Sequence, residues 1–192
     1  FTNIGKFNPG WKFTIFTAII LPILLSLSFW QYQRGLEKSK LESFINNQQT
    51  KPPTEFISLE YASPSQWYRP FFMQGKFSKK TVLVDNAIYE GVRGFSVYQE
   101  FLSNNGLSLL VSKGWSNSFD NSKKTLNQNY LLQGVFRPIE KAFTIDNSIY
   151  EREESDLEMQ SFDIDSINLK WNTNFPAVVF ELDEFSLNGF SR

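Results

Sequence analysis

The sequence predicts a mainly β protein: an N-terminal transmembrane helix, then an antiparallel β-barrel or sandwich-like domain with one minor helix. Three observations carry this reading. Between Lys12 and Arg34 lie 21 uncharged residues dominated by Phe, Ile and Leu. Beyond residue 50, short runs rich in Val, Leu, Phe and Tyr are separated by Gly, Asn and Asp turns, the pattern of strands. A helix start is readable at one later place, around Asp163 to Leu169, with Asp163 or Asp165 as its cap.

The apolar run spans roughly 31 Å as a helix at 1.5 Å per residue, the thickness of a bilayer's hydrocarbon core. Pro22 sits mid-span, where a membrane helix tolerates it. Trp11 on one side and Trp30 with Tyr32 on the other would form interfacial belts. Two other readings stand beside the anchor. One is a secretory signal, with Lys6 and Lys12 ahead of the apolar run and Ser26-Leu27-Ser28 as a small-x-small cleavage site. The other is a buried core helix, for which the run is too long and too uniformly apolar. The flanking charges do not fix an orientation, because a long domain follows.

Past the span, Leu36, Leu41, Phe44 and Ile45 continue a loosely amphipathic helix that Pro52-Pro53 ends. The expected organisation is a tail over 1–12, a membrane helix over 13–33, a juxtamembrane helix and linker over 34–50, and a β-rich extramembrane domain over 51–192. The strand candidates are Trp67 to Phe77, Thr81 to Asp85, Arg93 to Leu102, Leu107 to Lys113, Tyr130 to Pro138 and Pro176 to Asp183. Asn104-Asn105-Gly106 marks a hairpin between the third and fourth. In the fourth, Leu107, Leu109 and Val111 alternate with Ser108 and Ser112, and Leu110 breaks the pattern.

Composition narrows the chemistry. The 192 residues carry 19 basic and 20 acidic side chains, no Cys, no His and 20 Phe. Disulfides, thiolate nucleophiles, covalent haem attachment, His-based triads and the common zinc sites are excluded within this sequence. The near-zero net charge argues against nucleic acid. What remains is carboxylate or lysine chemistry, or binding without chemistry, and an enzyme is not expected.

The acidic stretch Glu151 to Asp165 lacks the spacing and central Gly of a calcium loop and reads as a solvated segment. Asp85, Glu100 and Asp146 have no spacing that marks a catalytic carboxylate pair. Gly91-x-x-Gly94 lacks the Lys-Ser/Thr of a phosphate loop and reads as a strand turn. Haem ligation would fall to Met73, Met159, Tyr or Lys, and Met73 reads as core. Trp30 and Arg34 share a helix face, with Gln31 beside them. They serve either as an interfacial anchor or as a contact surface for another membrane protein.

Taken in order, these segments resemble the surfeit-locus (Shy) family of cytochrome c oxidase assembly factors. The match begins at Leu27-Ser28-Phe29-Trp30-Gln31-x-x-Arg34 and continues through Gly75-x-Phe77, Val82 to Asn86 and Gly91-x-x-Gly94-Phe95-x-Val97. It is strongest at Leu109-Leu110-Val111-Ser112-Lys113-Gly114-Trp115, then runs through Gly134-x-x-Arg137-x-Ile139 to Gly189-Phe190-x-Arg192. Ser28 stands where the family has glycine, and Ser112-Lys113 where it has asparagine-arginine; the proline expected after Trp115 is absent.

The resemblance implies a membrane-anchored factor, not an enzyme, assisting haem A insertion into the oxidase's catalytic subunit. Its expected partners are that subunit and haem A synthase. It also implies a second membrane helix beyond Arg192, carrying the histidine proposed to contact haem, so cofactor contact is expected outside this sequence. The Phe7-x-Pro9-x-Trp11 opening looks bacterial, which places the protein in a cell inner membrane with its β domain in the periplasm; the mitochondrial inner membrane is the second choice. Trp30, Gln31 and Arg34 are the expected partner contacts, and Gly94, Gly114 and Trp115 the expected structural motif. The rival reading is a tethered β-domain that binds a lipid or quinone, with the Phe excess as its signature.

Overall fold

The computed structural model describes residues 10–117, 128–139, 149–151 and 156–183, except for the side chain of Asn86. The Phe7-x-Pro9 opening, most of the Ser116–Asn129 loop, Asp146, residues 152–155 of the acidic stretch and the Gly189–Arg192 motif lie outside the described residues. The chain divides into two compact units, one ending at Phe44 and one beginning at Ile45.

Helix α1 runs unbroken from Trp11 to Gln49, through Pro22. It is the one helix among the described residues long and apolar enough to cross a membrane, with mean hydropathy 2.1 over its most apolar window and none of that window buried. The exposure of Phe13, Ile19, Leu25 and Phe29 removes the buried-helix reading. At its end Thr50 N–H donates to Asn46 O and Thr50 Oγ1 to Asn47 O, before Pro52-Pro53 prevents continuation. Gln48 is buried, with Nε2 donating to Ser65 O at 2.7 Å.

Among its described residues the β unit holds eight strands: β1 (Thr54–Glu55), β2 (Pro70–Tyr89), β3 (Val92–Ser103), β4 (Ser108–Ser116), β5 (Tyr130–Pro138), β6 (Ile149–Glu151), β7 (Leu157–Met159) and β8 (Val178–Leu182). Strands β2, β3 and β4 form consecutive antiparallel hairpins, and β5 returns beside the start of β2, which is a Greek key. Strand β8 fills the remaining gap, antiparallel to β5 and parallel to β4, so the ring β2-β3-β4-β8-β5 closes as a barrel. The mainly β class holds, and the structure selects barrel over sandwich. It adds three parallel pairings, β1–β2, β2–β7 and β4–β8, to an otherwise antiparallel sheet.

The two runs expected over 67–85 are one long strand. A register shift between Phe77 and Thr81 joins them, with Lys80 N–H donating to Ser78 Oγ inside the irregularity. Such a bulge bends a strand without ending it. At Gly75 the strand pairs with both Tyr130 and Ser103, where it passes from one neighbour to the other. A Cβ there would run into Leu102 O, so glycine marks this barrel corner.

Side-chain alternation places the cores. In β5, Leu132 and Phe136 point inward, and in β8 so do Val178, Phe180 and Leu182. Six phenylalanines, Phe56, Phe71, Phe77, Phe101, Phe136 and Phe180, fill the interior together with Met73. Phe136 has ring centroids 4.9 Å from Phe56 and 5.0 Å from Phe180. These phenylalanines pack on one another as a small barrel requires, and need no enclosed ligand to cover them.

A second core lies against the outer wall, where Val82, Leu110, Leu157 and Met159 meet Ile164 and Ile167 of helix α2 (Ile164–Trp171). Leu110 breaks the β4 alternation because this outer face is covered too. Asp163 caps α2, accepting from Asp165 N–H and from Ser166 Oγ. The solvated reading of the acidic stretch fails in part: Asp156 is buried, and Leu157–Met159 is a paired strand.

Candidate functional site

On α1 the helical period brings Trp30 and Arg34 together, with the guanidinium carbon 5.4 Å from the centre of the indole ring. Both residues, and Gln31, are exposed. A cation–π contact at an exposed site contributes about 0.5–1 kcal/mol, enough to hold a shared orientation.

In the β unit, Gly94 and Trp115 meet directly. A Cβ on Gly94 would strike Ser116 O and the indole of Trp115, so the glycine makes room for the ring. Trp115 Nε1 donates to Ala87 O at 3.0 Å, and its ring lies 5.5 Å from that of Tyr89. Trp115 thus lies against the β2–β3 hairpin rather than among the two core clusters. Gly114 adopts φ +97 at the β4 irregularity, where Val97 pairs with Gly114 but Tyr98 with Ser112. Lys113 is the extra residue there, and left-handed backbone beside a bulge favours glycine.

Lys113 is 5% exposed; its Nζ donates to Gln99 Oε1 at 3.0 Å and stands 5.3 Å from the centre of the Phe77 ring. Gln99 in turn donates to Ser78 O. Burial lowers the ammonium's pKa to about 8 from the usual 10.5. Between these two pH values the folded chain binds fewer protons than the unfolded chain, so this residue makes stability rise with pH across that window. Lys113→Met removes the dependence. Urea unfolding from pH 8 to 10.5 is expected to show wild type gaining about 3 kcal/mol relative to the variant.

The polar groups that converge on open space belong to the outer wall over β5 and β8. Arg137 Nε and Glu181 Oε2 form an ion pair between strands. The pair separates two clefts, one of about 410 Å³ toward Lys51 and Asp183, the other of about 330 Å³ toward Tyr98 and Phe162. The Arg137 guanidinium lies 5.9 Å from the centre of the Tyr68 ring. Tyr68 itself has φ 64, and its N–H donates to Phe136 O at 3.0 Å. Tyr98 is raised above the usual phenol range, by burial first and then by the charge of Glu181, against a Ser96 hydrogen bond.

Arg137 stands in one of the quoted motifs, but Tyr68 and Glu181 carry no sequence signal; barrel closure alone brings them together. Among the described residues no group of three or more Asp or Glu could hold a metal ion. Glu100 is buried, accepting from Ser78 Oγ at 2.6 Å and Ser108 Oγ at 2.8 Å, and it lines neither cleft.

No curated protein matches the chain. A family model does, over residues 18–189, which takes in most of α1's apolar run and the whole barrel. That match, over a long apolar helix joined to a β domain, fits a membrane location. The chain belongs to the SURF1 family, a family of cytochrome c oxidase assembly factors rather than catalytic enzymes.

Proposed function

We propose that this protein is a membrane-anchored assembly factor without catalysis of its own, assisting haem A insertion into the catalytic subunit of cytochrome c oxidase. The observation that carries the reading is the family match across nearly the whole chain, joined to an exposed apolar helix. In it, α1 is a retained anchor in a bacterial inner membrane, the β domain lies in the periplasm, and the partners are the catalytic subunit and haem A synthase. A mass measurement on the mature protein tests the anchor, since cleavage after Ser28 would remove it.

Haem A is cargo in this scheme. The sequence has no His or Cys, and Met73 and Met159 are each 1% exposed within separate cores. These side chains do not fit axial ligation, so no step is assigned to haem ligation by them. What the chain offers instead is surface. Trp30, Gln31 and Arg34 form the contact with the oxidase subunit or the synthase, on an exposed helix face with Arg34 held over Trp30. Gly94, Gly114 and Trp115 hold the hairpin and bulge in shape.

Arg34→Ala is expected to lower assembled oxidase several-fold while the factor itself accumulates normally, with Arg34→Lys intermediate because it keeps charge but loses the planar fork. Haem a absorbance beside an immunoblot of the factor checks this. A parallel fall of both would make Arg34 a membrane anchor only.

A further inference from the structure

We infer that the cleft beside Arg137, on the Tyr98 and Phe162 side of the barrel wall, binds a small uncharged carbonyl-bearing ring of the quinone class. The inference does not depend on the assembly reading. At about 330 Å³ the cleft falls in the range of small-molecule sites. Its apolar surface comes from Pro138, Ile139, Phe162 and Val179, a lining suited to a ring. Phe162 is fixed by an edge contact with Tyr98, centroids 4.5 Å apart.

The polar lining supplies donors. Arg137 meets Glu181 through Nε. A guanidinium has five N–H donors, more than one ion-pair contact engages, so Arg137 can also donate to an acceptor in the cleft it lines. Ser112 and Tyr98, both hydroxyl-bearing, also line this space.

Charge decides between acceptors. Glu181 already neutralises Arg137, and no second cation lines this cleft. The field of Glu181 disfavours ionisation of Tyr98, and it would disfavour a bound carboxylate or phosphate in the same way. A neutral carbonyl takes the Arg137 donors without that penalty. Tyr68 adds an independent sign. Its left-handed backbone, unusual for a bulky residue, holds an aromatic ring beside the guanidinium.

The test uses the full chain in detergent micelles with labelled Ile and Val methyl groups, followed by NMR. Duroquinone is expected to shift Ile139 and Val179 saturably. Durene, the same ring without carbonyls, and tetramethylbenzoate, its anionic counterpart, should each bind about tenfold more weakly or worse. The sequence has no Cys, so no thiol adduct can imitate binding. Arg137→Gln should weaken duroquinone about tenfold, and Val179→Phe should block the cleft.

Equal binding of duroquinone and durene, shifts confined to α1, absence of any saturable shift, or wild-type affinity in both variants would each overturn the inference. Should Arg137→Gln fail to fold, the three-probe comparison on wild type and Val179→Phe still decide it.

Discussion

Gly134→Ala is expected to destabilise the barrel by about 3 kcal/mol or more, seen as a lower urea midpoint for loss of β-sheet circular dichroism. Gly134 sits on β5 opposite Leu182 of β8. A Cβ there would collide with the backbone carbonyl of Glu181 and press on the Phe180 ring. A flexible side chain could swing aside, but the carbonyl belongs to the strand that closes the ring, and moving it opens β5–β8 pairing. Gly91→Asn is the control. Gly91 has φ +79 with open space around its Cα, and Asn tolerates that backbone, so the cost should stay under about 1 kcal/mol. A similar loss in both variants would mean that close strand approach is not what sets the cost at Gly134.

Phe136→Ala should cost about 3–5 kcal/mol, the range for emptying a buried aromatic site. Phe136 is fully buried and touches three other rings, those of Phe56, Phe71 and Phe180. Those rings come from different elements: the segment after β1, strand β2 and strand β8. Neighbours fixed in separate strands cannot collapse into the hole together, so most of the cavity should persist. Phe136→Leu should recover more than half of the loss by restoring volume without ring geometry. Chemical denaturation of both variants checks the ordering; equal losses would mean that ring–ring geometry outweighs volume at this site.

Much of the fold was legible because burial on one face leaves a period in the sequence. Tyr130–Pro138 was readable as a strand from its run of Tyr, Leu, Val and Phe, and the structure buries Leu132 and Phe136 while leaving Leu131 and Gln133 exposed. A cap at Asp163 or Asp165 was readable because such a carboxylate can satisfy the first N–H groups of a helix, and the structure selects Asp163. Leu110 looked like an error in the pattern, and only the second core explains it. The parallel β4–β8 seam left no local trace, since a pairing between distant segments is fixed by topology.

The candidate site divides the same way. Trp30 and Arg34 meet through helical spacing alone, which a sequence displays. Arg137 and Glu181 meet through the closed ring, and Tyr68 takes a backbone conformation that Tyr seldom adopts, so neither could be foreseen. Lys113 stood out as a departure from the resembled motif, but its burial depends on the β4 bulge, which propensity does not encode.

The last strand of the ring has a consequence for synthesis. Until β8 emerges, the sheet β5-β2-β3-β4 has two unpaired edges, on β5 and β4, and both are afterwards occupied by the same five-residue segment, Val178–Leu182. Unpaired edges template pairing with other chains, and contacts distant in sequence form slowly. A ribosome that stalls before Val178 therefore releases a nascent chain with both edges open. The period of greatest vulnerability to aggregation lasts until Val178–Leu182 has emerged, and chaperone protection matters most before that point.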